Sequence, residues 1–357
     1  MTRTLAVRLD SLGDVLVTGP AIRALAASSE HLTLLCGPRG RAAAELLPGV
    51  DDLVCWRSPW IDPEPDPVDR DDVADLVARL AEGRFDRAFV FTSFHQSALP
   101  TALLARLAGI GWVGAISEHY PGSLLDLRHR TVDDQPEPER ALSLVRAAGC
   151  ALPAGDDGRL ALRPDALARS VVGEGHVVLH PGTSVPARAW PPELFRRTAE
   201  LLVEAGHRVV VTGAPDETGL TAYVAGALPE PAVRDLGGLT DLGELAGVLG
   251  AAAAVVVGNT GPAHLAAAVG APIVSLFAPT VPSVRWAPYA ERLVLLGDQD
   301  AACRGSRATT CPVAGHPCLS SVPPEEVVAA VAALAGGAAS TRPAAPPGTV
   351  RQLGRPA

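Results

Sequence analysis

Lysine is missing from this chain: all 30 of its basic residues are arginine. That absence excludes a P-loop NTPase, whose phosphate-binding lysine is indispensable. It equally excludes Schiff-base chemistry and the lysine-dependent protein kinases. Positive charge is scarce as well. The net charge is -9, whereas a nucleic-acid groove needs a basic stripe to neutralise phosphates, so no nucleic acid is expected as a partner. Aromatic residues contribute only 4% against 48% hydrophobic residues. The core must therefore be built from Ala, Val and Leu, which suits layered helices and buried parallel strands. Uninterrupted apolar runs are lacking too. The longest stretch, Leu265–Pro282, carries Pro272, Pro279 and Pro282 and reads as helix, strand and loop rather than as a membrane span. The opening MTRTLAVRLDSLGD shows neither a long apolar region nor a small-residue cleavage site, so no signal peptide is expected. Six scattered cysteines fit a reducing compartment better than a disulfide scaffold, and the expected location is cytoplasmic.

What is present is a rhythm. Short apolar strands alternate with Ala/Leu-rich helical stretches over most of the 357 residues, enough for two domains of ~100–200 residues each. Strands are expected at Leu5–Leu9, Leu32–Leu35, Leu53–Trp56, Ala88–Phe91 and Trp112–Ile116, then at Val177–Leu179, Arg208–Val211, Ala254–Val257 and Ile273–Phe277. Helices fall between them, among them Pro20–Ala27, Val73–Ala81, Glu193–Glu204 and Ala263–Val269. Alternating βα units with continuous apolar strands imply parallel sheets covered on both faces. A turn-rich stretch at Leu152–Asp157, followed by a short strand Leu160–Leu162, places a hinge near Pro153–Gly175. The expected fold is thus α/β, with Rossmann-like doubly wound domains at 1–155 and 156–335 facing a cleft. The Gly-, Pro- and Ala-rich tail, 336–357, is expected to be disordered.

Three strand-to-helix turns could carry chemistry. In Asp10-Ser11-Leu12-Gly13-Asp14, Gly13 permits close approach to a ligand and Asp14 could accept a proton from a hydroxyl; from spacing alone, helix capping is the better reading of Asp14. In His180-Pro-Gly-Thr183-Ser184, followed by Arg188, two hydroxyls and a guanidinium could cradle a diphosphate, though an ordinary loop would look the same. In Asn259-Thr260-Gly261-Pro262-Ala263-His264, a helix N-terminus offers an anion site to which His264 could add a donor, while a structural histidine is the alternative. Two apparent motifs are set aside. Gly109-Ile-Gly111-Trp-Val-Gly114 matches G-x-G-x-x-G only by letter, since it follows a helix and enters a strand. The acidic run in WIDPEPDPVDRDD (Trp60–Asp72) reads as a solvated surface loop. Cys303, Cys311, His316 and Cys318 lack the paired spacing of a zinc site, and free thiols in a loop are the better reading.

Taken in order, these segments resemble glycosyltransferase family nine, the heptosyltransferases. RLDSLGDVLVTGPAIRAL resembles the family's opening segment, HPGTS with ARAWP its second block, and VVVGNTGPAHLAAAVGAPIVSLFAPT its C-terminal signature. CPVAGHPCL before a P-E-E-V helix also recurs there. The resemblance implies a GT-B fold and inverting, metal-independent transfer without a cofactor. It matches Asp14 to the catalytic base, with Ser11 and Gly13 in the acceptor-side turn. It matches Thr183 and Ser184 to a phosphate-binding pair, Arg188 to a position near the donor phosphate, and Glu217 to the residue that holds the ribose. Leu239 falls near the position that packs on the base, and Thr260, Gly261 and His264 match the diphosphate turn. Two departures bear on the donor: Asn259 replaces an Asp that contacts the sugar, and Arg188 stands where many members have Lys, with a planar fork in place of a point charge. The implied partners are a nucleoside diphosphate sugar, ADP-linked, and a glycan, glycolipid or small-molecule acceptor. A lipid-linked acceptor would bring peripheral membrane contact. A nucleotide-sugar epimerase of the same fold and a non-catalytic nucleotide-sugar binding protein are the alternatives, with a Rossmann oxidoreductase a distant third.

Overall fold

Strands rich in Val, Leu and Ala pair only in parallel, as their continuous apolar character requires. The structure is a computed structural model that describes residues 2–131, 134–166 and 168–336. The first half runs β1 (Arg3–Arg8), α1 (Leu12–Ala26), β2 (His31–Cys36), α2 (Arg41–Leu46), β3 (Asp52–Cys55), α3 (Arg70–Glu82), β4 (Arg87–Val90), α4 (Leu99–Leu107), β5 (Trp112–Ile116), β6 (Leu127–His129) and α5 (Glu137–Ala147). The second runs β7 (Val177–His180), α6 (Pro192–Glu204), β8 (Val209–Val211), α7 (Thr218–Ala225), β9 (Val233–Asp235), α8 (Leu242–Gly250), β10 (Ala254–Gly258), α9 (Gly261–Ala268), β11 (Ile273–Leu276), α10 (Ser283–Trp286), β12 (Leu293–Leu296), α11 (Pro317–Ser320) and α12 (Pro324–Ala335).

The sheet orders are β3-β2-β1-β4-β5-β6 and β12-β11-β10-β7-β8-β9. Each order reverses once, between β1 and β4 in the first sheet and between β7 and β10 in the second. At such a reversal the loops leave in opposite directions and open a crevice at the strand C-termini. The halves are also joined by apolar packing. Leu16 and Leu25 of α1, Leu245 and Leu249 of α8, and Leu265 of α9 belong to one continuous buried cluster. Among the described residues, no helix is long and apolar enough to cross a membrane.

Several expectations need correction. Helix α1 starts at Leu12, not near Pro20, and carries Pro20 inside it; one lost ladder bond is offset by a helix whose middle is almost wholly buried. Leu160–Leu162 is not a strand. Its two leucines, 4% and 7% exposed, bury in the seam between the halves instead of pairing. The strands β6, β9 and β12 and the helix α5 were not expected. The edge strands β6 (LRH) and β9 (VRD) lack an apolar run because edges need burial on fewer sides. The segment 337–357, expected to be disordered, lies outside the described residues.

Candidate functional site

The site begins with a charge where an apolar strand should end. Arg8 closes β1 with only 3% of its side chain exposed, and a buried guanidinium needs anionic partners. Its Nη2 donates to Asp14 Oδ1 at 2.7 Å and to Ser93 Oγ at 3.0 Å, while its Nε lies 3.0 Å from Asp10 Oδ2. Burial works against the charge of Arg8, yet Asp10, Asp14 and Glu137 outweigh it and hold the guanidinium above its ordinary pKa. Gln96 Nε2 donates to Asp10 Oδ1 at 2.5 Å, and Gln96 Oε1 accepts from Ser93 N at 2.9 Å. The loops after β1 and β4, on either side of the first reversal, are thus tied into one network. Asp14 also accepts from the Ser11 amide at 3.3 Å. It therefore caps α1 and lines the cleft at once, which joins the two sequence readings of this residue.

The opposite wall comes from the second reversal, the loops after β7 and β10. His264, on the first turn of α9, is 5% exposed, and burial pushes its imidazole down to about 4 against the pull of Asp14. Burial likewise lowers Arg188, with Asp14 opposing. Arg188 Nε, Asn259 Nδ2, His264 Nδ1 and Trp286 Nε1 are buried without a hydrogen-bond partner among the described residues. Native interiors leave few polar atoms unpaired, so four such atoms around one cleft mark where a ligand's acceptors belong. Thr260, the N-cap of α9, makes no side-chain cap bond; Pro262 has no N–H and the Ala263 amide bonds Thr260 O at 3.1 Å, so the Gly261 amide is the one that first turn offers an anion.

The walls interlock through glycines. A Cβ at Gly13 would sit 2.9 Å from His264 Cδ2, and one at Gly261 would sit 2.8 Å from Leu12 Cδ2. Two helix N-termini, α1 and α9, can approach this closely only because each has glycine at the contact. Between them lies a cavity of about 760 Å³.

The cavity gathers Ser11, Gly13, Asp14, Ser184, Arg188, Asn259, Thr260, Gly261 and His264. Thr183, Glu217 and Leu239 do not line it. Thr183 turns its hydroxyl to the Val185 amide, one residue from Ser184. Glu217 lies over the same turn, since a Cβ at Gly182 would fall 2.1 Å from its carboxyl oxygens. Leu239 sits beside the Pro215–Glu217 turn, to which Gly238 is packed, and is 71% exposed. These three lie outside the cavity lining, on the loops after β7, β8 and β9. His180, buried, bonds Thr212 Oγ1 at 2.9 Å and is structural.

Sequence reasoning missed Arg8, Ser93, Gln96, Trp286 and Arg307. A charged residue ending a buried strand was the available signal for Arg8. Ser93, Gln96 and Arg307 sit on loops and Trp286 ends the short helix α10, and none of those segments carries such a signal. The acidic loop needs a correction too: Ile61, Asp62, Pro63 and Glu64 line the cavity, and the side chain of Asp62 is held by Arg57 at 6% exposure. The alternate prolines do expose Pro63 onward, but the loop's start is folded into the cleft. Cys303 and Cys318 are buried, Cys311 is half-buried, and all three are free thiols.

The sequence profile of glycosyltransferase family 9 (heptosyltransferase) matches residues 73–315. The chain belongs to that family. Lipopolysaccharide heptosyltransferase 2 of Escherichia coli K12 is 28% identical over 226 residues, covering 57% of this chain and 62% of the relative. The chain spans 36%, 29% and 62% of the length of the first curated relatives it matches. Among solved structures, E. coli ADP-heptose LPS heptosyltransferase II matches with a TM-score of 0.70 at 20% identity, over 94% of this chain and 98% of that one. E. coli heptosyltransferase WaaC with ADP matches with a TM-score of 0.69 at 20% identity, over 93% and 100%. The family 9 fold, two Rossmann-like domains of GT-B type, therefore extends over nearly the whole described chain.

Proposed function

We propose that this family 9 chain is an inverting, metal-independent glycosyltransferase. It moves a heptose or related sugar from an ADP-linked donor to a hydroxyl of a glycan or glycolipid, in the cytoplasm. The observation that carries the reading is the meeting of unlike walls. Asp14 faces a cluster of unpartnered donors, Arg188, Asn259 and His264, across one cavity. The relatives are named as heptosyltransferases of lipopolysaccharide, and one was solved with ADP, which supports the donor class.

In this mechanism residues 156–335 hold the donor and residues 1–155 present the acceptor. Outside the cavity, Leu239 supplies an apolar surface for the base and Glu217 a carboxylate for the ribose hydroxyls. Thr183 and Ser184, the Gly261 amide of α9, His264 and Arg188 hold the diphosphate, and Asn259 reaches the sugar. Asp14, steadied by Arg8, takes the acceptor proton as the oxygen attacks the anomeric carbon from the face opposite the departing diphosphate. Charge developing on that leaving group meets donors already in place, so little reorganisation is needed. A second, protonated carboxyl of the glycosidase kind is not required.

The test is to incubate the protein with ADP-heptose and a panel of lipid-linked and free glycans, without divalent cations, and to follow ADP release and product mass. Acceptor-dependent ADP release supports the proposal. Conversion of the donor sugar with no acceptor present would indicate an epimerase, and donor binding with no product under any acceptor would indicate a binding protein.

A further inference from the structure

Asp10 is a second carboxylate in the cleft, and the mechanism above gives it nothing to do. Its side chain is 9% exposed. Its Oδ1 accepts from Gln96 Nε2, but its Oδ2 is buried without a hydrogen-bond partner. It shares Arg8 with Asp14: Nε lies 3.0 Å from Asp10 Oδ2, and Nη2 bonds Asp14 Oδ1 at 2.7 Å. Ser93 and Gln96 close the ring, Ser93 Oγ reaching Asp14 Oδ1 at 3.3 Å and the Ser93 amide donating to Gln96. We propose that Asp10 is a positioning residue for transfer: it holds one edge of the Arg8 guanidinium, so that Arg8 meets Asp14 through a single nitrogen and leaves Asp14 free to receive the acceptor proton.

The inference rests on Asp14 being the base, and its physical ground is the geometry of the fork. A guanidinium paired with a single carboxylate favours two parallel bonds. That grip would bring a second guanidinium nitrogen onto Asp14 Oδ2, which now carries only the 3.3 Å contact from the Ser11 amide, and would leave less of its lone-pair capacity for the acceptor hydroxyl. With Asp10 Oδ2 paired to Nε by charge at 3.0 Å, although neither atom makes a hydrogen bond among the described residues, two carboxylates answer one guanidinium, and an excess negative charge stays beside the site of proton transfer. The groups facing Asp10 are Arg8 from β1, Asp14 from α1, Gln96 from the loop after β4 and Glu137 from α5. Burial raises its carboxyl to about 6, with Arg8 pulling the other way and Asp14 adding to the rise. Below that pH Asp10 takes a proton and releases Arg8 to Asp14.

Asp10→Asn keeps the shape and removes the charge. The expected result is a kcat lowered about 10- to 100-fold, a KM for the donor within about twofold of wild type, and loss of the acidic limb of kcat near pH 6. A wild-type kcat and pH profile overturn the role. Carboxyl ¹³C NMR of the ligand-free protein reads the shared grip without any substrate. The Asp10 resonance, assigned by its loss in Asp10→Asn, is expected to titrate near 6 and to move lower in Asp14→Asn. An unmoved midpoint shows that the two carboxylates do not feel each other across Arg8 and overturns the inference. If Asp10→Asn does not fold, Gln96→Leu, which removes the partner of Oδ1 together with the acceptor of the Ser93 amide, takes its place in the kinetic readout and is expected to lower kcat in the same direction; an unchanged kcat counts against the role. If the wild-type protein releases no ADP in the presence of any acceptor, the transferase reading fails and the positioning role fails with it, while the NMR result still decides whether the two carboxylates share Arg8.

Discussion

Helices α1 and α9 start alike and end up chemically opposite. Each follows the central strand of its sheet at a reversal of strand order, and each points its N-terminus into the same cavity. At α1 the sequence places a carboxylate on the first turn, and Asp14 turns back to the Ser11 amide. The positive end of that helix is answered from within, by a carboxylate on its own first turn. At α9 the first turn holds Gly261, Pro262 and His264, with no carboxylate and no side-chain cap. Its positive end is unanswered, and unpaired donors on Arg188, Asn259 and His264 surround it. A helix N-terminus becomes a base site or an anion site according to whether the chain supplies the anion itself.

The comparison can be broken most sharply at Asp14. Asp14→Asn should lower kcat by about 10²- to 10⁴-fold, the range of a lost general base, with donor affinity nearly unchanged. Steady-state transfer and calorimetry together check it, and near-wild-type kcat would mean that Asp14 is only a cap. On the α9 side, Arg188→Ala and His264→Ala should each weaken nucleoside diphosphate binding about 10- to 100-fold, since a bond to a charged group contributes about 1.5–3 kcal/mol. The glycine contact sharpens the picture further. Gly13→Ala drives a methyl against the His264 ring, and overpacking of this kind costs about 1–3 kcal/mol. Nucleotide affinity should fall together with Tm, measurable in one thermal-shift titration.

Much of this contrast was legible in the sequence. The three turns, their order and the parallel βα rhythm were readable because buried strands must be apolar and tight turns need glycine. The pairing of the turns across a cleft was not, because nothing in RLDSLGD says that Gly13 will face His264. Arg8 was readable only as an anomaly, a charge ending a buried strand. Ser93 and Gln96 were invisible, since their role depends on β4 lying next to β1, and strand order is not written in any one segment. The acidic loop misled for a related reason. Alternate prolines do make it extended, but Ile61 and Asp62, half-buried where it starts, line the cavity.

Smaller effects test the same account from the side. Helix α8 is capped in full: Glu244 N donates to Asp241 Oδ1 at 2.8 Å and Asp241 N to Glu244 Oε2 at 2.9 Å, away from the cavity. Asp241→Ala should therefore cost about 1 kcal/mol of stability and leave nucleotide binding untouched, as read by denaturant unfolding and calorimetry. The buried histidines predict a pH effect. Burial pushes His180 and His264 down to about 4, below the ordinary value of about 6.5. The unfolded chain then takes up protons first, so the stability these groups contribute is present above about pH 6.5 and is lost as pH falls toward 4. Tm should fall across that window, and the fall should be smaller in His180→Gln if that variant folds. Nucleotide affinity, by contrast, should show no histidine titration between pH 6 and 8.

The division between the two helix ends is tested most directly by calorimetry of ADP, without divalent cations, on the wild-type protein, Asp14→Asn and His264→Ala. The account predicts equal affinity for wild type and Asp14→Asn, and affinity at least about tenfold weaker for His264→Ala. Loss of binding in Asp14→Asn with full binding in His264→Ala would contradict it.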